Sequence, residues 1–124
     1  MYLIDTDILI WALRENKRYQ DLCIKLAKKG DLYISTVTIA EIYQNIFPTE
    51  VIKTEKVLEG FRTIDVNSLI AKQAGLYWQK HSKNLKNLSV IDCIIAATAA
   101  FNNLTLVSLN KKHFPMKDIK LLDL

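Results

Sequence analysis

Three acidic residues occupy positions at which a carboxyl group can do chemistry. Asp5 directly follows a short apolar run, residues 2–4. Asp92 is the only acid in the apolar segment 90–101, and Glu41 follows a cluster of hydroxyl residues at 35–38. Carboxylate oxygens held on rigid elements are the ligands that hard divalent cations such as Mg²⁺ prefer. Because two carboxylates about 4 Å apart repel by about 4 kcal/mol at an effective dielectric of about 20, an acidic cluster of this kind requires a cation or a proton.

Each of these acids also has a structural alternative. Asp5 stands where a helix N-cap is expected, and Asp7 is even better placed for that role. Asp92 and Glu41 each fall three residues after a hydroxyl residue, as in a capping box, and the helical period places Glu41 opposite an apolar stripe. An unpaired buried carboxylate is strongly unfavourable, so Asp92 in an apolar helix needs a partner. The patterns favour a functional role for Asp92 and a capping role for Asp7, and they leave Asp5 and Glu41 open.

Apolar periodicity predicts the elements that must position these residues. Short apolar runs predict strands at residues 2–4, 32–35, 64–66, 104–107 and, at an edge, 119–122. Helical spacing and capping residues predict helices at about residues 7–15, 17–29, 36–47, 49–62, 68–81 and 89–101. Strands that alternate with helices indicate an α/β fold with a mostly parallel sheet of about four to five strands, covered on both faces. The functional crevice of such a sheet lies beyond the carboxyl ends of its strands, which is where Asp5, Ser108 and Asn110 fall.

The composition indicates one ordinary globular domain over residues 1–124. Lys and Arg number 17 against 13 Asp and Glu, and the formal net charge of +4 favours polyanionic partners. The apolar window 1–13 contains acids and has no basic start, and the window 90–101 is shorter than the about 20 residues of a membrane span. We therefore expect a cytoplasmic protein without a membrane segment. Cys23 and Cys93 lack metal or redox spacing and are expected to be small buried residues, and Trp11 and Trp78 are expected in the core.

Four segments form an ordered set along the chain. They are Leu-Ile-Asp-Thr-Asp at 3–7, Ser-Thr-Val-Thr-Ile-Ala-Glu-Ile at 35–42, Val-Ile-Asp-Cys-Ile-Ile-Ala-Ala-Thr-Ala at 90–99 and Leu-Val-Ser-Leu-Asn-Lys-Lys-His-Phe at 106–114. Together they resemble the PIN-domain ribonucleases, particularly the VapC-type toxins of bacterial and archaeal toxin–antitoxin pairs. No single segment is specific, but the set spans nearly the whole chain in the family's order and spacing. The resemblance implies one PIN-like, three-layer α/β/α domain.

The resemblance also implies a site and an activity. The acidic metal-binding residues would be Asp5, Glu41 and Asp92, which would hold Mg²⁺ or Mn²⁺. Thr6 and Ser108 match the accompanying hydroxyls, and Asn110 occupies the place where many members carry a fourth acid. The implied reaction is metal-assisted hydrolysis of an RNA phosphodiester that leaves a 5′-phosphate and a 3′-hydroxyl. A small antitoxin partner and a homodimer are implied as well.

Basic residues flank the predicted cleft and suit an RNA backbone, although each one is equally consistent with an ordinary solvated surface. They are Arg14, Lys17, Arg18, Lys83, Lys86, Lys111 and Lys112. His81 and His113 lie outside the acid-bearing motifs, and we expect them at the surface or against phosphate rather than in catalysis.

Two other functions stay open. A strand followed by Asp5-Thr6-Asp7 also resembles the aspartyl-phosphate motif of haloacid-dehalogenase-like phosphatases, but Ile8 does not suit that motif and no downstream paired-aspartate motif is present. The more serious alternative is a non-catalytic PIN-like module that binds RNA or protein, with its metal site weakened at Asn110.

Overall fold

A parallel sheet of five strands forms the centre of the molecule. The computed structural model describes all residues, 1–124. The strands, in chain order, are β1 (Tyr2–Ile4), β2 (Leu32–Ser35), β3 (Arg62–Ile64), β4 (Thr105–Val107) and β5 (Lys120–Leu121). They lie in the order β3-β2-β1-β4-β5, and every neighbouring pair is parallel. The structure thus confirms the predicted parallel sheet and its fifth strand at an edge.

Six helices connect the strands. They are α1 (Thr6–Leu13), α2 (Lys17–Ala27), α3 (Thr36–Gln44), α4 (Val51–Leu58), α5 (Ser68–His81) and α6 (Val90–Phe101), with short 3-10 turns at Pro48–Glu50 and Lys111–His113. None of these helices is long and apolar enough to cross a membrane.

The two central strands supply side chains to two separate cores. Successive residues of a strand point to opposite faces of the sheet. Leu3 and Leu106 accordingly belong to a core that contains the buried residues of α5 and α6. Ile4 and Val107 belong to a second, smaller core that contains buried residues of α1, α2 and α3. This arrangement confirms the three-layer α/β/α fold.

The chain between α3 and α5 differs from the prediction. The helix expected over residues 49–62 ends with α4 at Leu58, and Gly60 donates its N–H to the Val57 carbonyl. The third strand lies at Arg62–Ile64 instead of residues 64–66, because these residues pair with Tyr33–Ser35 of β2. Two of its three residues are exposed, so the apolar pattern carried little information about its bounds.

Both tryptophans were expected in the core, and that prediction is wrong. Trp11 is 44% exposed and Trp78 is 43% exposed. The Trp11 ring stacks on Tyr19 of α2 with ring centroids 6.4 Å apart, so it covers the junction of two helices on the outside of the molecule. The cysteines agree better with expectation, since Cys93 is buried, Cys23 is partly buried and both are free thiols.

Candidate active site

The junction between β1 and α1 places Asp5 at the carboxyl end of the central strand. Its backbone N–H donates to the Val107 carbonyl at 2.9 Å, which holds the end of β1 against the end of β4. Its Oδ1 accepts the Thr6 N–H at 2.9 Å, and its Oδ2 accepts the Ser108 hydroxyl at 2.7 Å. Asp5 is therefore both the N-cap of α1 and an acid at the sheet edge, 7% exposed.

Burial raises the pKa of Asp5 from 3.8 to about 7, and the charge of Asp7 adds to the rise. The hydrogen bonds from Ser108 and Thr6 act in the opposite direction, and Asp92 makes a further small contribution that raises the pKa. Lys and Arg side chains form ion pairs only with Glu15, Asp31 and Asp123, none of which belongs to this group of acids. No Lys or Arg side chain therefore forms an ion pair that would neutralise the acids of the cleft.

Asp7 was predicted to cap the first helix, and that prediction is wrong. The helix begins one residue earlier than expected, at Thr6, so Asp7 lies within its first turn. The Oδ1 of Asp7 accepts the Ile8 N–H at 2.7 Å, while its Oδ2 accepts the Leu109 N–H at 3.3 Å and the Asn110 side-chain amide at 3.2 Å. Burial raises its pKa, with smaller contributions from Asp92 and Glu41. Asp7 is consequently a fourth acid of the cleft.

Glu41 faces the cleft from α3. The cap of α3 is Ser35, whose hydroxyl accepts the Val37 N–H at 3.2 Å, so the capping box expected between Thr38 and Glu41 does not form. Instead, the Thr6 hydroxyl donates to Glu41 Oε1 at 2.5 Å. The same hydroxyl lies 3.2 Å from the buried Thr38 hydroxyl. The half-buried Glu41 side chain is thus tied to the residue next to Asp5 rather than released into solvent.

Asp92 caps α6 and also faces the cleft. The Ser89 hydroxyl accepts the Asp92 N–H at 3.0 Å and Asp92 Oδ2 accepts the Ser89 N–H at 3.2 Å, so the capping box of α6 is complete. The side chain is 20% exposed, less buried than a core position in an apolar helix would make it. Its Oδ2 also lies 3.2 Å from Nδ1 of His113. The influence of its charge on Asp5 and Asp7 places it in the same cleft.

The loop after β4 carries the other predicted residues. Ser108 is buried, and its hydroxyl accepts the Asn110 N–H at 3.0 Å while donating to Asp5. Asn110 is exposed and contacts Asp7. Lys111, proposed from the sequence as a substrate contact, pairs with Asp123 at 2.8 Å and does not pair with an acid of the cleft.

The donor chemistry of the cleft fits a hard divalent cation. Its side chains offer carboxylate, hydroxyl and amide oxygens, which suit Mg²⁺ and Mn²⁺. The acids are partly buried close to one another, which raises their mutual repulsion and gives a cation something to neutralise. No three acidic, histidine or cysteine side chains are arranged so that they could hold an ion as they stand. The cleft therefore has the ligands for a metal site, and binding requires the carboxylates to converge.

Sequence reasoning missed two residues of this site. Asp7 was assigned to a cap, which requires the helix to begin at Ile8, two residues after its observed start at Thr6. His113 was placed outside the acid-bearing motifs, yet it contacts the Asp92 carboxylate. The only sequence signal for that contact was the position of His113 in the same segment as Ser108 and Asn110.

Comparisons with known proteins identify the family of the chain. The model of the PIN domain family matches residues 2–119. Ribonuclease VapC10 from Mycobacterium tuberculosis is 34% identical over 116 residues, which cover 94% of this chain and 87% of that protein.

Solved structures show the same fold at lower sequence identity. VapBC2 from Rickettsia felis, bound to a DNA fragment from its promoter, superposes with a TM-score of 0.82 at 22% identity over 99% of this chain and 98% of that one. A toxin–antitoxin complex from Klebsiella pneumoniae gives a TM-score of 0.78 at 22% identity over 99% and 97% of the two chains. The sequence and the fold lead to the same conclusion: this chain belongs to the PIN-domain family.

Proposed function

We propose that this protein is a Mg²⁺- or Mn²⁺-dependent endoribonuclease that acts as the toxin of a toxin–antitoxin pair. The observation that carries the proposal is that Asp5, Asp7, Glu41 and Asp92 face one cleft, where their charges act on one another. They come from the end of β1, the first turn of α1, the second turn of α3 and the first turn of α6. The similarity to a named ribonuclease over 94% of the chain supports it independently. The same similarity favours a nuclease over an aspartyl-phosphate phosphatase.

In the proposed reaction, Asp5 and Asp92 would hold the metal, and Glu41 would act from the neighbouring helix α3. When bound, the metal would polarise the phosphodiester and lower the pKa of a water molecule. Glu41 Oε2 accepts no hydrogen bond, whereas Oε1 is engaged by Thr6, so Oε2 is the oxygen available to orient the attacking water and take its proton. Ser108 fixes the second oxygen of Asp5, which leaves the rotation of that carboxylate little freedom. Hydrolysis would leave a 5′-phosphate and a 3′-hydroxyl.

RNA would be held by basic side chains that have no carboxylate partner. Arg14, Lys17 and Arg18 are exposed near the end of α1, and none of them forms an ion pair. The exposed side chains of Lys83, Lys86 and Lys112 are also unpaired. Contacts between such groups and RNA phosphates are favourable because they release counterions, and this contribution to binding weakens as the salt concentration rises.

The test is cleavage of single-stranded RNA with Mn²⁺ or Mg²⁺ by the wild type, Asp5→Asn and Asp92→Asn. Removing a residue that only hydrogen-bonds to a metal ligand typically reduces activity by ~10–100-fold. Asp5→Asn and Asp92→Asn replace proposed direct ligands, so we expect a larger loss of initial rate. Asp65→Asn is a matched control, because Asp65 also follows a strand but is exposed and does not influence the pKa of Asp5 or Asp7. Its rate should equal that of the wild type, and EDTA should stop all cleavage.

If Asp5→Asn and Asp92→Asn cleave as fast as the wild type, the activity comes from a contaminant and the proposal is wrong. A binding module without catalysis is the second candidate, and the absence of a preformed three-residue metal arrangement favours it. That candidate predicts RNA that is retained by the wild-type protein in Mn²⁺ and is recovered uncut.

The proposed antitoxin has a groove to occupy beside the cleft. A groove of about 490 Å³ runs between α2 and the last residues of the chain, with the apolar side chains of Leu22, Leu26 and Leu109 in its lining. Charged residues of both signs also line it, namely Arg18, Lys25, Lys29, Asp21 and Asp123. Since the Leu109 N–H donates to Asp7, the groove reaches the acidic cleft, and a segment with apolar side chains flanked by charged ones would suit it. A short reading frame that directly precedes this one, with a product that co-purifies with the chain, would support the pair, and its absence would favour a solitary ribonuclease.

A homodimer in the cytoplasm completes the proposal. Leu69 and Leu76, seven residues apart on α5, are 60% and 57% exposed and form part of one helix face. Exposed apolar side chains that align in this way suit contact with a second copy. Two free thiols are compatible with a reducing compartment. Light scattering on the purified protein measures the state of association directly.

A further inference from the structure

One short loop contacts three acids of the cleft. It runs from the end of β4 to the 3-10 turn at Lys111–His113. Its first residue, Ser108, donates to Asp5, and Asn110 donates to Asp7. At its far end, His113 Nδ1 lies 3.2 Å from Asp92 Oδ2.

The position of His113 is fixed from both sides. The backbone N–H of His113 donates to the Asn110 carbonyl at 2.9 Å, and the backbone N–H of the following residue, Phe114, donates to the Lys111 carbonyl at 3.0 Å. Phe114 is 3% exposed and belongs to the larger core. The His113 side chain itself is 27% exposed. The imidazole is therefore held at the edge of the cleft by a turn that is anchored in the core.

The two oxygens of Asp92 are used differently. Oδ2 receives the Ser89 N–H and faces Nδ1 of His113, while Oδ1 accepts no hydrogen bond from the protein. The Ser89 hydrogen bond and the 3.2 Å contact with the imidazole both involve Oδ2, which leaves the other oxygen available. The neutral tautomer with hydrogen on Nδ1 and the protonated ring both carry an Nδ1 hydrogen that can be donated to this oxygen.

We propose that His113 is a positioning residue of the metal site: its Nδ1 holds Asp92 Oδ2 so that Oδ1 is presented to the cation. This inference rests on the proposed function, because it assigns a role to Asp92 as a ligand. His113 acts through Asp92 and transfers no proton in the reaction. Partners that hydrogen-bond a ligating carboxylate typically change metal affinity or activity by ~10–100-fold when they are removed.

The experiment compares His113→Leu, which removes the donor, with His113→Asn, whose amide nitrogen can replace Nδ1. His81→Leu is the matched control, since His81 is the other histidine and lies at the end of α5 beside Tyr77 and Asp118. Mn²⁺ affinity is measured without RNA by electron paramagnetic resonance. The rate of RNA cleavage is measured across Mn²⁺ concentrations, so that half-saturation and maximal rate are separated.

We expect His113→Leu to bind Mn²⁺ ~10–100-fold more weakly and to need correspondingly more Mn²⁺ for half-maximal cleavage, with a maximal rate close to that of the wild type. His113→Asn should restore most of the affinity, and His81→Leu should match the wild type. In an Asp92→Asn background, His113→Leu should add little to the loss of affinity, because both changes act on the same ligand. Circular dichroism checks folding, and if His113→Leu is unfolded, His113→Ala takes its place.

Three outcomes would overturn the role of His113 alone. They are wild-type Mn²⁺ affinity in a folded variant without the donor, an Asn variant as weak as the Leu variant, and additive losses with Asp92→Asn. By contrast, a wild-type protein that neither binds Mn²⁺ nor cuts RNA would overturn the proposed function itself.

Discussion

Two helix beginnings each deliver an aspartate to the cleft, and they stabilise its carboxylate to different degrees. At the beginning of α1, Asp5 is 7% exposed and sits between the Thr6 N–H and the Ser108 hydroxyl, with Asp7 close enough to raise its pKa. At the beginning of α6, the Asp92 side chain is 20% exposed, and its Oδ2 accepts the Ser89 N–H and lies 3.2 Å from His113 Nδ1. The α1 site thus combines burial with repulsion, whereas the α6 site combines partial exposure with a close imidazole contact.

The two aspartates therefore illustrate two different roles: one stabilises a helix, and the other contributes a charge that prepares the site for chemistry. The capping box of α6 stabilises the helix whether or not a cation is bound. Asp5, by contrast, is held at the end of the two central strands, where its charge is unfavourable until something compensates for it. We therefore expect the metal-free protein to have its main electrostatic weakness at Asp5, and the following predictions test that expectation.

Replacing Asp5 with Asn should change the pH dependence of stability more than any other single change. The pKa of Asp5 is about 7 in the folded protein and 3.8 as a free group, so the folded state binds this proton more tightly than the unfolded state. The corresponding stabilisation is complete below pH 3.8 and is lost as the pH rises through 7. The loss at pH 8 is on the order of 4 kcal/mol. Asp5→Asn has no such ionisation and keeps an oxygen that can accept the Thr6 N–H.

The measurement is urea unfolding in EDTA between pH 4 and pH 8, with Asp65→Asn as the control. The stability of Asp5→Asn relative to the wild type should rise from pH 4 to about pH 7 and level off by pH 8, while that of Asp65→Asn follows the wild type. Mg²⁺ at pH 8 should stabilise the wild type and leave Asp5→Asn unchanged. Parallel pH profiles for the wild type and Asp5→Asn would show that the two helix beginnings do not differ as described.

The same substitution at two serines sharpens the comparison. Ser108→Ala removes a buried donor from Asp5 and should cost about 1–3 kcal/mol, because it leaves an acceptor unsatisfied. Ser89→Ala removes the cap of α6 and should cost about 1 kcal/mol. Since the Ser108 hydrogen bond lowers the pKa of Asp5, the cost of Ser108→Ala should grow between pH 5 and pH 8. The cost of Ser89→Ala should be nearly constant there, and equal pH dependence in the two variants would contradict the comparison.

Most of the fold and the acidic residues could be predicted from the sequence, because both depend on local patterns. Apolar runs that end in Asp5 or Ser108 located the strand ends, and the order of a parallel sheet brings such ends together. Trp11 could not be placed, because periodicity shows which face of a helix is apolar but not how far that face extends over its neighbours. The contact between His113 and Asp92 depends on the course of a loop, which residue spacing does not determine.

The smallest expected effect concerns the place where the family resemblance implies a fourth acid. Asn110 now donates its amide to Asp7 Oδ2 at 3.2 Å, and Asn110→Asp would replace that attraction with repulsion. Because the position is exposed, the repulsion is screened and should cost about 1 kcal/mol in the metal-free protein. An added charge should also tighten Mn²⁺ binding, so Asn110→Asp should gain more stability from Mn²⁺ than the wild type does. Asn110→Ala, which removes the hydrogen bond without adding a charge, is the control. If Asn110→Asp loses stability but gains no Mn²⁺ affinity, the cation would be held on the Asp92 side of the cleft, and the Asp7 side would contribute charge without ligation.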